Sequence, residues 1–426
     1  MLTSPVLKKP EIYESKRIRL TSPILHIGSV VSRLNPFEYV QTAKKVYLPN
    51  QEALAKAFKK QGGRFLDDYI EAINDREDIS HLLKQAFGKQ WWNATDGDGE
   101  LIFPKYAISQ KLTDERITDL RPMIRNGMGK LFIPGSSIKG AIRTAIVYHL
   151  LKHGERYQVP ASKRISEIEK KLHSRLGELS NKHTQKFVDD ELFMESLFSD
   201  FTLTYQDKIF TGQSQNTDFL RALKVSDCEE LSETKTTNKQ GQEIPINLAV
   251  VAEVIVSSRF PDYLAKYKAS IYVEMVRNVQ TELTLSLDTE MLAWFKHKQK
   301  MKIPFTNLDE LLQICQEFTQ DQWNYERNYW QNIKNNPRAS GRNLDFHYIR
   351  EFYTPEECSF TLRLGWGSGM TGTTVDLLFK DELRSEIRNR CGLGAPKFEA
   401  PKSRRTVVNP NGEIRFVPGW VKFKVL

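Results

Sequence analysis

The sequence predicts an α+β fold, and three observations carry that prediction. Residues 249–259 and 269–287 place apolar side chains at alternate positions, with Ile271, Val273 and Met275 and then Leu283, Leu285 and Leu287. That period belongs to half-buried antiparallel strands. Single stretches with helical spacing separate the strand-like ones, with few local repeats. Near the C-terminus, Val407-Val408, the turn Asn409-Pro410-Asn411-Gly412 and Ile414-Arg415-Phe416-Val417 form a strong hairpin signal. Hydrophobic residues make up 40% of the chain, enough for a globular core. At 426 residues it exceeds a typical single domain, so two cores are expected.

Taken in order, residues 17–31 read as strand, turn and a second strand start, because Arg17 to Thr21 alternates and Pro23 interrupts. Residues 51–90 have helical spacing through Leu54, Phe58, Phe65, Tyr69, Ile73, Leu82, Leu83 and Phe87, a helical insertion. Asp96-Gly97-Asp98-Gly99 is a turn without the ligand spacing or closing glutamate of an EF-hand. Residues 161–198 are helical, 217–227 a strand ending in a turn, and 229–245 a polar loop. The second long strand is expected to break around Asn278. Residues 290–333 are helical and aromatic, and 335–343 form a basic loop. Residues 360–364 are a strand, followed by a glycine-rich loop and a helix to about residue 391.

Phe132-Ile133-Pro134-Gly135-Ser136-Ser137-Ile138-Lys139-Gly140-Ala141-Ile142-Arg143 reads as a tight turn feeding a helix. Ser136 or Ser137 can cap its free amides, and Lys139 and Arg143, four apart, share a face near its start. Amides, a positive dipole end, hydroxyls and two cations together suit a phosphate. An ordinary capped helix with an Ile138, Ala141, Ile142, Ala145 core stripe accounts for the same residues. A P-loop does not, because the lysine precedes Gly140 and no Ser/Thr stands beside it.

Gly367-Ser368-Gly369-Met370-Thr371-Gly372 spells G-x-G-x-x-G between a strand and a helix. A dinucleotide site would need a second strand about 20 residues on that ends in an acid, and Cys391-Gly392-Leu393-Gly394 stands there instead. Either a tight strand-to-helix turn or a loop whose amides approach a nucleic-acid backbone remains. Basic and aromatic residues interleave at 397–405, which includes Lys402, Arg404 and Arg405, and near 338–350. Arginine pairs with phosphate and aromatic faces stack on unpaired bases. The chain is basic, with 62 Lys and Arg against 53 acids. That balance suits contact with part of an RNA.

The Pro134–Arg143 segment closely resembles the signature of the RAMP superfamily of CRISPR proteins. Three stretches resemble motifs of its Csm-type (type III-A) branch. They are Ser22-Pro23-Ile24-Leu25-His26-Ile27-Gly28, Leu223-Lys224-Val225-Ser226-Asp227 and Leu364-Gly365-Trp366-Gly367-Ser368-Gly369-Met370-Thr371-Gly372. The resemblance implies ferredoxin-like, RRM-type cores, here two, with helical insertions: an N-terminal unit over 1–288 and a C-terminal one over 289–426 carrying the glycine loop. It implies a noncatalytic subunit that holds the 3′ part of the guide RNA (crRNA) and assists its 3′-end maturation in antiviral defence. The implied partners are crRNA, other Csm-type subunits, especially the backbone RAMP subunit, and host nucleases. The expected RNA-binding residues are Ser136, Ser137, Lys139, Arg143, Gly365, Gly367, Gly369, Gly372, Lys402, Arg404 and Arg405.

No cofactor is expected, and no metal, because His149 and His153 lie four apart but lack a third obvious ligand. Four cysteines without C-x-x-C spacing fit reduced thiols, and no apolar run or signal-like N-terminus suggests a membrane, so the cytoplasm is expected. Two alternatives stay open: a metal-independent CRISPR transcript endoribonuclease using His26, and a structural subunit without RNA contact.

Overall fold

The computed structural model describes residues 13–180, 195–205, 208–210, 216–237, 241–392, 394–395 and 397–426. The N-terminal segment and residues 181–194 of the expected 161–198 helical stretch lie outside that set. The elements that position the site are β1 (Tyr13–Leu25), α1 (Gly135–Lys152), β2 (Leu223–Val225), β3 (Leu248–Arg259), β4 (Ala265–Asp288), α2 (Leu308–Asn332), β5 (Arg404–Val408) and β6 (Trp420–Val425).

The architecture is α+β, with a mixed twelve-stranded sheet among the described residues. At its centre β1 pairs antiparallel with β4, from Tyr13↔Asp288 to Leu25↔Val276, and β4 pairs antiparallel with β3. β6 adds to the outer edge of β1, and β5 pairs with β3 at Val254↔Val407. Strands from both sides of residue 288 therefore share one sheet. Ile138, Ile142, Ala145 and Ile146 of α1 are buried with Ile18 and Leu20 of β1, Leu283 and Leu285 of β4 and Phe318 of α2. Each of these isoleucine, leucine and phenylalanine side chains contributes about 1.5–3 kcal/mol by leaving water, and Ala145 less. A second core gathers Trp323, Trp330, Tyr353 and Trp420.

The three insertion helices (Gln51–Gln61, Phe65–Asp75, Ser80–Phe87) and the C-terminal hairpin match the sequence reading. Several boundaries differ, each for a local reason. β1 runs straight through Pro23, because β6 stops pairing at Thr21↔Lys422 and the missing N–H interrupts no bond on that side. β4 is continuous through Asn278, which takes φ +50°. Asn247 opposite it also has positive φ, and its side chain accepts from Gln280 N–H and donates to Gln280 C=O, so the ladder closes around the irregularity. Asparagine tolerates the left-handed region better than most residues.

Residues 217–227 begin as a 3-10 turn at Phe219–Ala222, capped by the Asp218 carboxylate, before the short β2. The polar stretch 229–245 holds a two-stranded ribbon, Thr234–Thr237 with Glu243–Ile246. Its β-branched threonines favour extended backbone even when exposed. The expected 290–333 helix is Thr289–Trp294, a strand at Phe295–His297, and then α2. Residues 335–343 form a small hairpin, Asn336–Ala339 with Arg342–Leu344. The helix expected after the glycine loop comes in three pieces, Met370–Thr373, Asp376–Leu378 and Asp381–Arg390.

Candidate nucleic-acid interface

The helix start at Pro134-Gly135 and the Leu223–Asp227 motif form one clasp. Asp227 accepts the Gly135 N–H at 2.7 Å. Cys228 and Leu231 donate to the carbonyls of Ile133 and Leu131. A Cβ on Gly135 would lie 2.4 Å from the Val225 carbonyl, so only glycine permits this approach. Neither serine caps the helix. Pro134 is the N-cap and makes no side-chain cap bond, and the negative group at the positive end of α1 is the Asp227 carboxylate.

Lys139 donates to the Leu223 carbonyl at 2.7 Å, and burial pulls its ammonium below the ordinary lysine range. Arg143 pairs with Asp218 and lies over the Phe198 ring at 4.1 Å. Both cations tie α1 to the 218–223 segment. Ser136 is exposed and Ser137 half-buried at the same end.

The glycine loop clasps the end of β1. Trp366 N–H donates to the His26 carbonyl at 3.0 Å. Gly365 has φ +73°, and a Cβ there would stand 2.2 Å from that carbonyl. At Gly367 a Cβ would meet Pro418, and at Gly372 it would meet Ser368. Gly369, at φ +72°, has open space in front of it. Packing thus accounts for three of the four expected glycines.

β5 sends its two arginines to opposite faces, as strand alternation requires. Arg404 is buried and paired to the equally buried Glu326 of α2 at 2.9 Å, with Tyr329 beneath it at 4.1 Å. Burial opposes its charge, and Glu326 overcomes that and raises its pKa. Arg405 faces the other way and lies 4.7 Å from the Trp366 ring centre, with Arg121 5.7 Å from the same ring. Neither Arg121 nor Arg405 makes an ion pair among the described residues, and each has a buried Nε without a hydrogen-bond partner. Burial and then the charges of Arg121 and Arg363 push the Arg405 pKa down.

Trp366 is half-buried, packed on one side against the core around Val250 and Val407. Two cations facing one indole without a counter-ion form an anion-seeking, stacking-capable surface. Trp366 stands inside the glycine-rich motif but is not among the residues that the sequence singles out, and nothing in the sequence points to Arg121. The signal for Trp366 is an indole between two glycines.

Lys402 belongs to a second such patch. Its Nζ lies 5.4 Å from the Phe398 ring, shared with Lys268 at 5.1 Å and Lys266 at 6.0 Å. Of the cations at 338–350, Arg342 pairs with Glu253 and Arg350 donates to Asn335, while Arg338 is exposed.

His26 is 2% exposed, and its Nδ1–H donates to the Glu274 carbonyl at 2.6 Å. Its ring meets Trp366 edge-on at 5.7 Å. Burial lowers its pKa from 6.5 to about 4, so it is neutral at physiological pH. The unfolded chain binds this proton more readily than the folded one. Stability from this group is full above pH 6.5 and falls as pH drops toward 4, by up to about 1.4 kcal/mol per pH unit. Denaturant midpoints at pH 7 and pH 5 should therefore separate less for His26→Gln than for the parent. Equal separation would disprove the assignment.

Residues 17–355 match the RAMP superfamily. Over 152 residues, 32% of this chain, the sequence is 25% identical to the CRISPR system protein Csm5 of Enterococcus italicus, and the match spans 43% of that relative. The fold superposes with TM-score 0.61 and 22% identity on a chain of a cryo-EM Csm–crRNA–target RNA ternary complex from a type III-A CRISPR–Cas system, covering 96% of this chain and 100% of that one. It superposes on crystalline T. onnurineus Csm5 with TM-score 0.57 and 19% identity, again over 96% and 100%. The matched region holds three of the sequence motifs and the β2 segment that clasps α1, and the chain belongs to the RAMP superfamily.

Proposed function

We propose that this chain is a noncatalytic, RNA-binding subunit of a type III-A CRISPR effector complex, holding the 3′ part of the crRNA against the backbone RAMP subunit. The observation that carries the reading is the partly exposed Trp366 beside Arg121 and Arg405, neither of which has an ion pair among the described residues. An indole can stack on an unpaired base while guanidinium groups take the adjoining phosphates. The Lys266, Lys268 and Lys402 patch around Phe398 offers a second contact of the same chemistry. Ser136, Ser137 and Gly369 are the further accessible members of the expected set, and Lys139, Arg143 and Arg404 hold the surfaces in place. The relatives support the reading through their Csm-type fold and the crRNA in the complex of one of them.

On this reading the chain comprises two RAMP-type, ferredoxin-like units divided near residue 288 and works in the cytoplasm. Its part in 3′-end maturation is to admit nucleases, so cells without it should accumulate guides with longer 3′ ends. His26, buried, neutral and bonded to backbone, supports a noncatalytic role. Purified protein should bind single-stranded RNA with a salt-dependent affinity and leave it intact in EDTA. Cleavage that disappears on His26→Ala would replace this proposal with an endoribonuclease. Salt-independent or absent binding by folded protein, alone and in the complex, would leave a structural subunit.

A further inference from the structure

The histidine pair that the sequence left without a third ligand acquires one in the fold. His149 and His153 occupy successive turns at the C-terminal end of α1, and Glu317 of α2 faces them. His149 Nδ1 contacts Glu317 Oε2, and His153 Nε2 lies 2.8 Å from Glu317 Oε1. The three ligand atoms all lie within 4.8 Å of one another. We propose that His149, His153 and Glu317 bind a divalent transition metal, zinc by the chemistry of the donor set, as a staple between α1 and α2.

Two imidazoles and a carboxylate are a zinc-type set, and ligand bonds of about 2.0–2.1 Å around a tetrahedral ion place donors roughly 3.3 Å apart. The two histidine–glutamate contacts lie within about an ångström of that spacing and the remaining separation, at most 4.8 Å, within about 1.5 Å of it, a range that side-chain rotation covers. Three further features favour a metal. Tyr157 Oη lies 2.9 Å from His149 Nε2, the outer-shell bond that orients a ligating imidazole. The site sits at the negative end of the α1 dipole, which stabilises a cation. His153 and Glu317 are about one-third and one-quarter exposed, which leaves a path for the ion and room for a water as fourth ligand.

Lys152 is the competing cation, with its Nζ 3.0 Å from Glu317 Oε1. It also contacts Asp321, which lies one helical turn along α2, and can move wholly onto that carboxylate when the metal takes Glu317.

The test uses the full chain, stripped with chelator and dialysed. Zinc titration should show one equivalent bound at micromolar dissociation constant or tighter, and cobalt should give tetrahedral visible bands that zinc displaces. His153→Ala and Glu317→Gln should each weaken zinc binding at least 100-fold while circular dichroism stays native. Tyr157→Phe should cost roughly tenfold, the effect of losing an outer-shell partner. His153 is the decisive position, because His149 is buried and its replacement risks the fold. The proposal is overturned if the folded parent binds neither metal, or if zinc affinity in folded His153→Ala and Glu317→Gln stays within threefold of the parent. Because the readout is metal, failure here leaves the RNA-binding reading standing.

Discussion

Arg405→Glu combined with Trp366→Ala is expected to lower affinity for single-stranded RNA by two orders of magnitude or more. Loss of one stacked base costs about 1–3 kcal/mol, roughly 5- to 150-fold. Charge reversal at Arg405 removes a phosphate contact and sets a carboxylate beside Arg121, 5.7 Å from the same ring in the parent. That change should reduce the salt slope by about 0.7 for a single strand. The fold should survive, because Arg405 makes no ion pair among the described residues and lies on the face of β5 opposite the buried Arg404–Glu326 pair. Filter binding across a salt series measures both quantities, and a parental slope in a folded double variant would move the RNA elsewhere. Lys139→Glu with Arg143→Glu should behave differently. Lys139 is bonded to the Leu223 carbonyl and Arg143 to Asp218, so the dominant loss there is the docking of α1.

The fold was legible wherever one periodicity ruled a long segment. The two long strands, the insertion helices and the hairpin followed from alternation, 3.6-residue spacing and Asn-Gly turn chemistry. What failed were local rules overridden by partners distant in sequence. Pro23 looked like a strand end because the sequence does not show where β6 stops pairing. Asn278 looked like a break because Asn247 is needed to close the ladder around it.

The candidate site was legible in part. Motifs that looked like two phosphate cradles are, in the fold, two backbone clasps: Gly135 against Val225 and Asp227, and Gly365 against His26. Their glycines are spent largely on close approach of chain to chain. The cations without an ion pair among the described residues, Arg121 and Arg405, meet at Trp366 from strands almost 300 residues apart. Alternation along β5 could have separated Arg404 from Arg405, had the buried face of that strand been known. Glu317, the third member of the histidine cluster, carries no sequence signal that links it to α1.

The glycine loop gives the second large effect, and it distinguishes packing from contact with RNA. Gly365→Ala places a methyl 2.2 Å from the His26 carbonyl at a backbone φ of +73°. The left-handed conformation costs about 1–2 kcal/mol for a residue with a Cβ. Overlap with a fixed backbone atom adds about 1–3 kcal/mol more, because neither β1 nor the loop can withdraw without breaking the Trp366-to-His26 hydrogen bond. A loss of roughly 2–5 kcal/mol is therefore expected, visible as an early denaturant midpoint or as failure to accumulate. Gly369→Ala meets nothing within 4 Å, so its loss should be the backbone cost alone, about 1–3 kcal/mol for a conformation at φ +72° and ψ −173° that is essentially glycine's own. The folded Gly369 variant can then be tested with RNA. Weakened binding at near-parental stability would put this turn of the loop against the nucleic-acid backbone, and unchanged binding would confine the loop to holding Trp366 in position. Equal destabilisation by the two substitutions would refute the clasp between Gly365 and His26.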